Sequence, residues 1–218
     1  PMEPKKALEV LNEGCLDTID YGKINGTDFF CTCGVGFDAA VSQKFANEKR
    51  RGSLTYIKNT IEEYLSYKPE PYELVVDNQT IKEKAFLVAC ANASQYGNNA
   101  FIAPHANIQD GRMDVTILSP FMPLDIAPLA IQLFTKQIDR NSKIKTMKAQ
   151  QVTIIRQHPG VMHWDGDPIM ADRRIDITVE PKALHVLTPE VVSFTKEVHN
   201  LFDEVTRFFD KKLPYIFK

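Results

Sequence analysis

The chain has 218 residues, 44% of them hydrophobic and 25% charged, with 26 basic side chains against 28 acidic ones, a balance that excludes disorder and a collagen-like fibre. No apolar run reaches the roughly 18 residues of a spanning helix, and a formal net charge of −2 argues against a protein that wraps nucleic acid, since phosphate binding needs a basic surface. The opening Pro1-Met2-Glu3-Pro4 reads as neither a signal nor a transit peptide, so the expectation is a cytoplasmic protein. Cys15, Cys31, Cys33 and Cys90 are too few and too scattered for a disulfide framework. Cys31 and Cys33 have the spacing of two positions on one strand face, and a zinc site would need two further ligands at recognisable spacing.

In chain order, Ala7, Leu8 and Leu11 predict a short helix over 4–13, stopped by Gly14. Segments 16–24 and 27–33 flank Asn25-Gly26, a hairpin signal because a type I′ turn needs positive φ at both central residues. Past Gly34 and Gly36 the period becomes helical over 37–50, and a second helix is predicted over 54–67, ended by Pro69 and Pro71. A hairpin over 72–92 turns at Asp77-Asn78-Gln79, and FLVACA (86–91) is apolar enough for a strand buried on both faces.

A strand over 113–119 precedes an apolar helix over 124–138, with Pro128 in its first turns, where proline costs least. Strands are then predicted over 147–156, 160–164, 168–170, 173–180 and 183–188, at short turns that favour antiparallel pairing. Over 190–213, Val191, Phe194, Val198, Leu201, Phe202, Val205, Phe208 and Phe209 share one helical face, expected to dock on this domain or an adjoining one, with a dimer or membrane contact as the alternative. The reading is one mixed α+β, mainly antiparallel domain over 1–189 with a helical tail over 190–218.

Three segments invite a chemical reading. Gly34-Val35-Gly36-Phe37-Asp38-Ala39 is formally G-x-G-x-x-A, but a Rossmann unit needs a parallel strand after the helix, and here a second helix follows. What remains is a glycine-flanked helix start whose N–H groups could face an anion. Asp165-Gly166-Asp167 is a plain hairpin turn on one reading. On the other, it is a pair of carboxylates at a strand end, able to act as general base and metal organiser in phosphoryl transfer. Asn107-Ile108-Gln109-Asp110-Gly111-Arg112 is either an ordinary turn or an oxygen-rich site for a hard cation.

The ordered set KALE (6–9), GVGFDAAV (34–41), NASQYGNNAFIAPHANIQDGRMDV (92–115) and HWDGDPI (163–169) resembles the diacylglycerol kinase and sphingosine kinase type of lipid kinase, especially its soluble bacterial branch. The resemblance covers about residues 5–189. It implies a β-sandwich acceptor-side domain following a nucleotide-binding domain with GGDGT and GTxNDFA motifs. Neither motif occurs here, so the expectation is the C-terminal part of a longer kinase, inactive alone.

By the same resemblance Asp165 and Asp167 match the family's DGE carboxylates, which deprotonate the lipid hydroxyl and help organise the active-site metal. Asp167 stands where Glu is usual, and its shorter reach favours Asp165 as proton acceptor. A second, structural metal site maps to the Asp110 carboxylate and the carbonyls of Asn107 and Arg112, while Gly34, Gly36 and Asp38 map to the interdomain cleft, on the cofactor side. The implied cofactors are ATP, held mainly by the missing domain, and Mg2+. The implied partners are a lipid alcohol at a membrane surface and the nucleotide-binding domain, with a homodimer possible. A non-catalytic lipid-binding module and an NAD kinase-like kinase of a soluble alcohol remain as alternatives.

Overall fold

Strand pairing dominates the chain, as the turn spacing predicts. The computed structural model describes residues 3–46, 64 and 66–189. The predicted tail over 190–213 lies outside these residues, as does most of the predicted helix over 54–67 and the end of that over 37–50. Helix α1 (Pro4–Glu13) leads into β1 (Cys15–Ile24), β2 (Thr27–Phe29), β3 (Thr32–Gly36) and α2 (Phe37–Ala46). Next come β4 (Glu70–Val76), β5 (Gln79–Ala85), β6 (Leu87–Ala91), β7 (Met113–Leu118) and α3 (Ile126–Phe134). The strands β8 (Ile144–Ala149), β9 (Gln151–Arg156), β10 (Gly160–Trp164), β11 (Asp167–Ala171) and β12 (Arg174–Thr188) complete the fold. The described residues divide into two compact units, one of those up to Asp17 with 185–189, the other of those between Thr18 and Leu184.

The strands form two six-stranded antiparallel sheets, ordered β2-β1-β12-β9-β4-β5 and β11-β10-β3-β6-β7-β8. Leu74, Ile154 and Ile175 from the first sheet share a core with Val35, Val88 and Val115 from the second. Ala89 and Ala91 on the other face of β6 join a second core with Ile102, Leu118, Leu129 and Phe37. That double burial is why 86–91 reads as a continuous apolar run. The fold is therefore the expected α+β β-sandwich with flanking helices. No helix among the described residues is long and apolar enough to cross a membrane.

Several boundaries differ from expectation for one reason: a strand can change sheets without a turn signal. The predicted strand over 147–156 is two strands in different sheets, separated at Gln150, where the N–H groups of Gln150 and Gln151 donate to Asp77 Oδ1 at 3.0 Å each. The arm over 27–33 likewise divides between β2 and β3. Conversely, 173–188 is one strand, with positive φ at Lys182 where two strands were expected. The helix over 124–138 is α-helical only at Ile126–Phe134, with single 3-10 turns on either side. Cys31 precedes β3 and is exposed, whereas Cys33 is buried opposite Cys90, so the two do not share a strand face. Burial pushes the Cys33 thiol well up, which keeps it protonated.

Arg156 ends β9 on its buried face and is 5% exposed. Its guanidinium donates to the carbonyls of Val161 (2.9 Å), Gly160 (2.6 Å), Ala171 (2.8 Å) and Asp172 (3.3 Å). One side chain of the first sheet thus ties down the open end of the β10–β11 hairpin in the second. Replacing it by Ala removes four charge-assisted hydrogen bonds and leaves a void where the buried guanidinium stood, and Arg156→Ala is expected to cost about 3–5 kcal/mol in urea denaturation. A loss below about 1 kcal/mol would show that water replaces the guanidinium.

Tyr67 and Tyr72 make a pH-dependent contribution beside this arginine. Burial pushes the Tyr67 phenol up to about 12 and that of the more buried Tyr72 higher still. Folded values above the unfolded one mean that their contribution is complete below the unfolded value of about 10 and is lost as pH rises through the folded values. Phenolate absorbance of these two rings is expected to grow only together with alkaline unfolding, and its appearance in the folded protein near the unfolded value would refute the assignment.

Candidate active site

The turn between β10 and β11 is type I′, with φ of 49° at Asp165 and 91° at Gly166, so Asp-Gly serves the purpose expected of it. The Asp165 side chain does far more than fill a turn. Its Oδ1 accepts the N–H groups of Cys31 at 2.7 Å and Thr32 at 3.0 Å, and its Oδ2 accepts that of Phe30 at 2.7 Å. The Asp165 N–H donates back to the Thr32 carbonyl at 2.7 Å. Residues 30–32 are where the chain passes from β2 to β3, so their amides lack ladder partners there. A carboxylate offers about four lone-pair positions, and three are taken here, leaving one on Oδ2. Asp167, two residues on, is exposed, and its carboxylate has no partner among the described residues.

Behind this turn lies a buried polar cluster. His163 on β10 is 2% exposed and places Nε2 3.1 Å from Asp38 Oδ2, which also accepts the Tyr96 hydroxyl at 2.9 Å. Asp38 Oδ1 accepts the Ala39 N–H at 2.8 Å, so its carboxylate stands at the first turn of α2 where it opposes the positive end of the helix dipole. The His163 Nδ1 is buried without a hydrogen-bond partner among the described residues, as is Asn92 Oδ1. Asn92 uses its amide nitrogen on the carbonyls of Asp20 and Phe30, both at 2.9 Å, and fixes the same crossing that Asp165 holds.

Gly34 and Gly36 are explained by close approach. A Cβ on Gly34 would stand 2.5 Å from the Val88 carbonyl and 3.0 Å from Asp38 Oδ2, and one on Gly36, at φ 106°, 2.7 Å from the Phe86 carbonyl. These glycines serve β3–β6 contact and the entry to α2, and the anionic Asp38 holds the helix start. The carboxylates of Asp165 and Asp167 are the oxygen groups at this turn that could hold a divalent cation.

The third segment lies elsewhere in the sandwich. Asp20, fully buried, accepts the N–H groups of Gly111 and Lys182, both at 2.7 Å, and donates its own N–H to the Ile108 carbonyl at 2.7 Å. Asn107 Oδ1 accepts the Gln109 N–H at 3.0 Å, and Asp110 Oδ1 accepts the Arg112 N–H at 3.0 Å. The Lys148 ammonium stands 2.6 Å from Asp110 Oδ2 and 3.2 Å from Asp114 Oδ2. Among the described residues no three His, Cys, Asp or Glu side chains converge as a metal-ligand set.

The structure therefore brings Asp165 and Asp167 to one turn, sets Asp38 with its glycines behind it, and leaves Asn107, Asp110 and Arg112 as a separate loop. Sequence reasoning missed His163, Tyr96, Asn92, Asp20 and Arg156. For Arg156 a signal existed: Val152, Ile154 and Arg156 alternate on one face of β9, so the arginine had to enter the core.

Fold and turn together define an antiparallel β-sandwich domain with an acidic hairpin at one sheet edge. Over residues 31–188 the sequence matches the family described as the YegS C-terminal NAD kinase beta sandwich-like domain, and the chain belongs to that family. It is 29% identical over 198 residues to a diacylglycerol kinase of Mycobacterium tuberculosis (strain ATCC 25618 / H37Rv), covering 85% of this chain and 62% of that protein. It is 25% identical over 187 residues to a "Probable lipid kinase YegS-like" of Shewanella frigidimarina, covering 85% and 60%. In three dimensions it is similar to a diacylglycerol kinase crystal structure from Bacillus anthracis str. Sterne, with a TM-score of 0.61 at 16% identity, covering 88% of this chain and 61% of that one. The chain thus spans about three fifths of the length of these relatives.

The Asp165 clamp has a direct test. Asp165→Asn exchanges one acceptor oxygen for an N–H2 group that faces backbone donors, and is expected to cost about 1–3 kcal/mol in stability. Asp167→Asn, at an exposed position, is expected to stay within about 0.5 kcal/mol of the parent. Equal melting curves for the two variants would refute the clamp.

Proposed function

We propose that this chain is the acceptor-side domain of an ATP-dependent lipid kinase, which transfers the γ-phosphoryl group of ATP to the hydroxyl of diacylglycerol or a similar lipid alcohol at a membrane surface. The observation that carries the reading is the Asp165-Gly166-Asp167 turn, where one carboxylate is held by three amides and the next is open to solvent, in a chain of this family. Held in this way, Asp165 directs its remaining lone pair along a fixed line, which suits a group that must take a proton from an attacking hydroxyl. Asp167 is free to turn toward a cation. Mg2+ bound with ATP supplies the positive charge that neutralises the transferring phosphoryl group.

His163, Tyr96 and Asp38 then act as positioning residues that fix β10 against α2 behind the turn. A lipid acceptor accords with the apolar residues left exposed around α3, Leu124 at 89%, Ile131 at 63% and Phe134 at 57%. Phosphoryl transfer is almost entirely positioning and charge stabilisation, so separating acceptor side from nucleotide side removes it. The 218-residue chain alone is expected to give no ATP-dependent lipid phosphorylation.

The test uses the full-length kinase with diacylglycerol in mixed micelles, below the melting temperature of each variant. Asp165→Asn is expected to lower kcat by about 100-fold or more with KM for ATP unchanged, the size of a lost general base. A kcat within about threefold of the parent would remove Asp165 from the reaction.

A further inference from the structure

We propose that Lys148 is a tethered cation that stands in for a divalent metal ion at the 107–112 loop, so that this domain is complete there without bound Ca2+ or Mg2+. The inference rests on the geometry of this loop and is independent of the kinase reading. Lys148 on β8 is directly opposite Asp114 on β7, so the sheet register itself delivers its ammonium to the loop. There it meets two carboxylates, Asp110 at 2.6 Å and Asp114 at 3.2 Å.

The position conflicts with a metal. Ca2+ takes about 6–8 oxygen ligands at 2.3–2.6 Å, and Mg2+ about six at 2.0–2.1 Å. An ion on Asp110 Oδ2 would stand against the Lys148 ammonium, and the two positive charges would repel. Oxygens beside it are also engaged, the Asn107 carbonyl accepting the Asp110 N–H at 3.5 Å. Asp110 Oδ1 holds the Arg112 N–H, and Asn107 Oδ1 holds the Gln109 N–H. The loop needs no ion to fold, because the buried Asp20 carboxylate grips it at Gly111 and its amide grips it at Ile108.

Electrostatics agree with the geometry. The Lys148 ammonium donates a hydrogen bond to Asp110 Oδ2 and stands within ion-pair range of Asp114 Oδ2, a buried oxygen with no hydrogen-bond partner among the described residues. Without a cation Asp114 would be a buried charge with no partner, the situation proteins avoid by pairing or by metal binding.

The test is a melting and titration series on the purified chain. The parent is expected to bind neither Ca2+ nor Mg2+ at this loop, so that Asp110→Asn leaves any calorimetric binding at millimolar ion unchanged, with Tm unchanged by EDTA. Lys148→Met is expected to lose roughly 5–10 °C in EDTA, the size of a broken partly buried pair in a chain of this length. Millimolar Ca2+ or Mg2+ is then expected to restore at least half of that loss, with one ion bound per chain. Lys148→Arg keeps the charge and is expected to remain metal-independent, which keeps the proposal testable should Lys148→Met not fold. Stoichiometric binding of either ion by the parent that Asp110→Asn abolishes would overturn the proposal. So would a Lys148→Met variant as stable as the parent in EDTA, one that neither ion rescues, or a Lys148→Arg variant that requires the ion.

Discussion

Where the chain leaves one sheet for the other, the hydrogen-bond ladder breaks, and the freed backbone groups must find partners away from water. In this domain single polar side chains take most of that duty. Asp165 receives the three amides at the β2–β3 crossing, and Asp77 receives the two amides at the β8–β9 crossing. Arg156 supplies the carbonyls on both strands of the β10–β11 hairpin, close to where the chain crosses from β9 and back to β12. Asp20 holds the 107–112 loop and the positive-φ residue Lys182 of β12. Each contact is charge-assisted, and removing it would take a protein partner from one or more backbone groups at a break in the ladder.

This arrangement joins stability to chemistry at Asp165. The carboxylate that the proposed reaction needs at the sheet edge is the same one that closes a backbone crossing more than 130 residues earlier in the chain. A proton acceptor must be fixed in direction, and the crossing amides fix it without any further side chain. Asp167, not bound to the backbone in this way, keeps the freedom that a metal ligand can use. The two carboxylates of one turn therefore differ in setting because only one of them meets the β2–β3 crossing.

The polar cluster of Asp38, His163 and Tyr96 has a comparable logic. A carboxylate at the head of α2 binds a helix amide, a strand histidine and a loop tyrosine, so three separate elements share one anion. Gly34 is required because a Cβ there would press on that carboxylate and on β6. The same sheet carries Lys148 to Asp110 and Asp114 at its opposite edge, β8 rather than β11. Charged side chains at both edges are thus positioned by sheet register, and the apolar core between them sets how rigidly.

The sequence by itself determined the periodicity-dependent features. Helix α1, the Asn25-Gly26 and Asp165-Gly166 turns, the doubly buried β6 and the mainly antiparallel sandwich are all written in local spacing, turn chemistry and an ordered set of motifs. The acidic turn and the 107–112 loop were legible as candidates for the same reason. Tertiary structure alone decided where strands change sheets, because a crossing at Gln150 or at Cys31 needs no glycine or proline when a distant aspartate takes the free amides. It also decided that Asp165 is a clamp, that His163 lies beside Asp38, and that Lys148 occupies the carboxylates of Asp110 and Asp114. These contacts join residues far apart in the chain, and a local pattern carries no information about partners that only folding brings together.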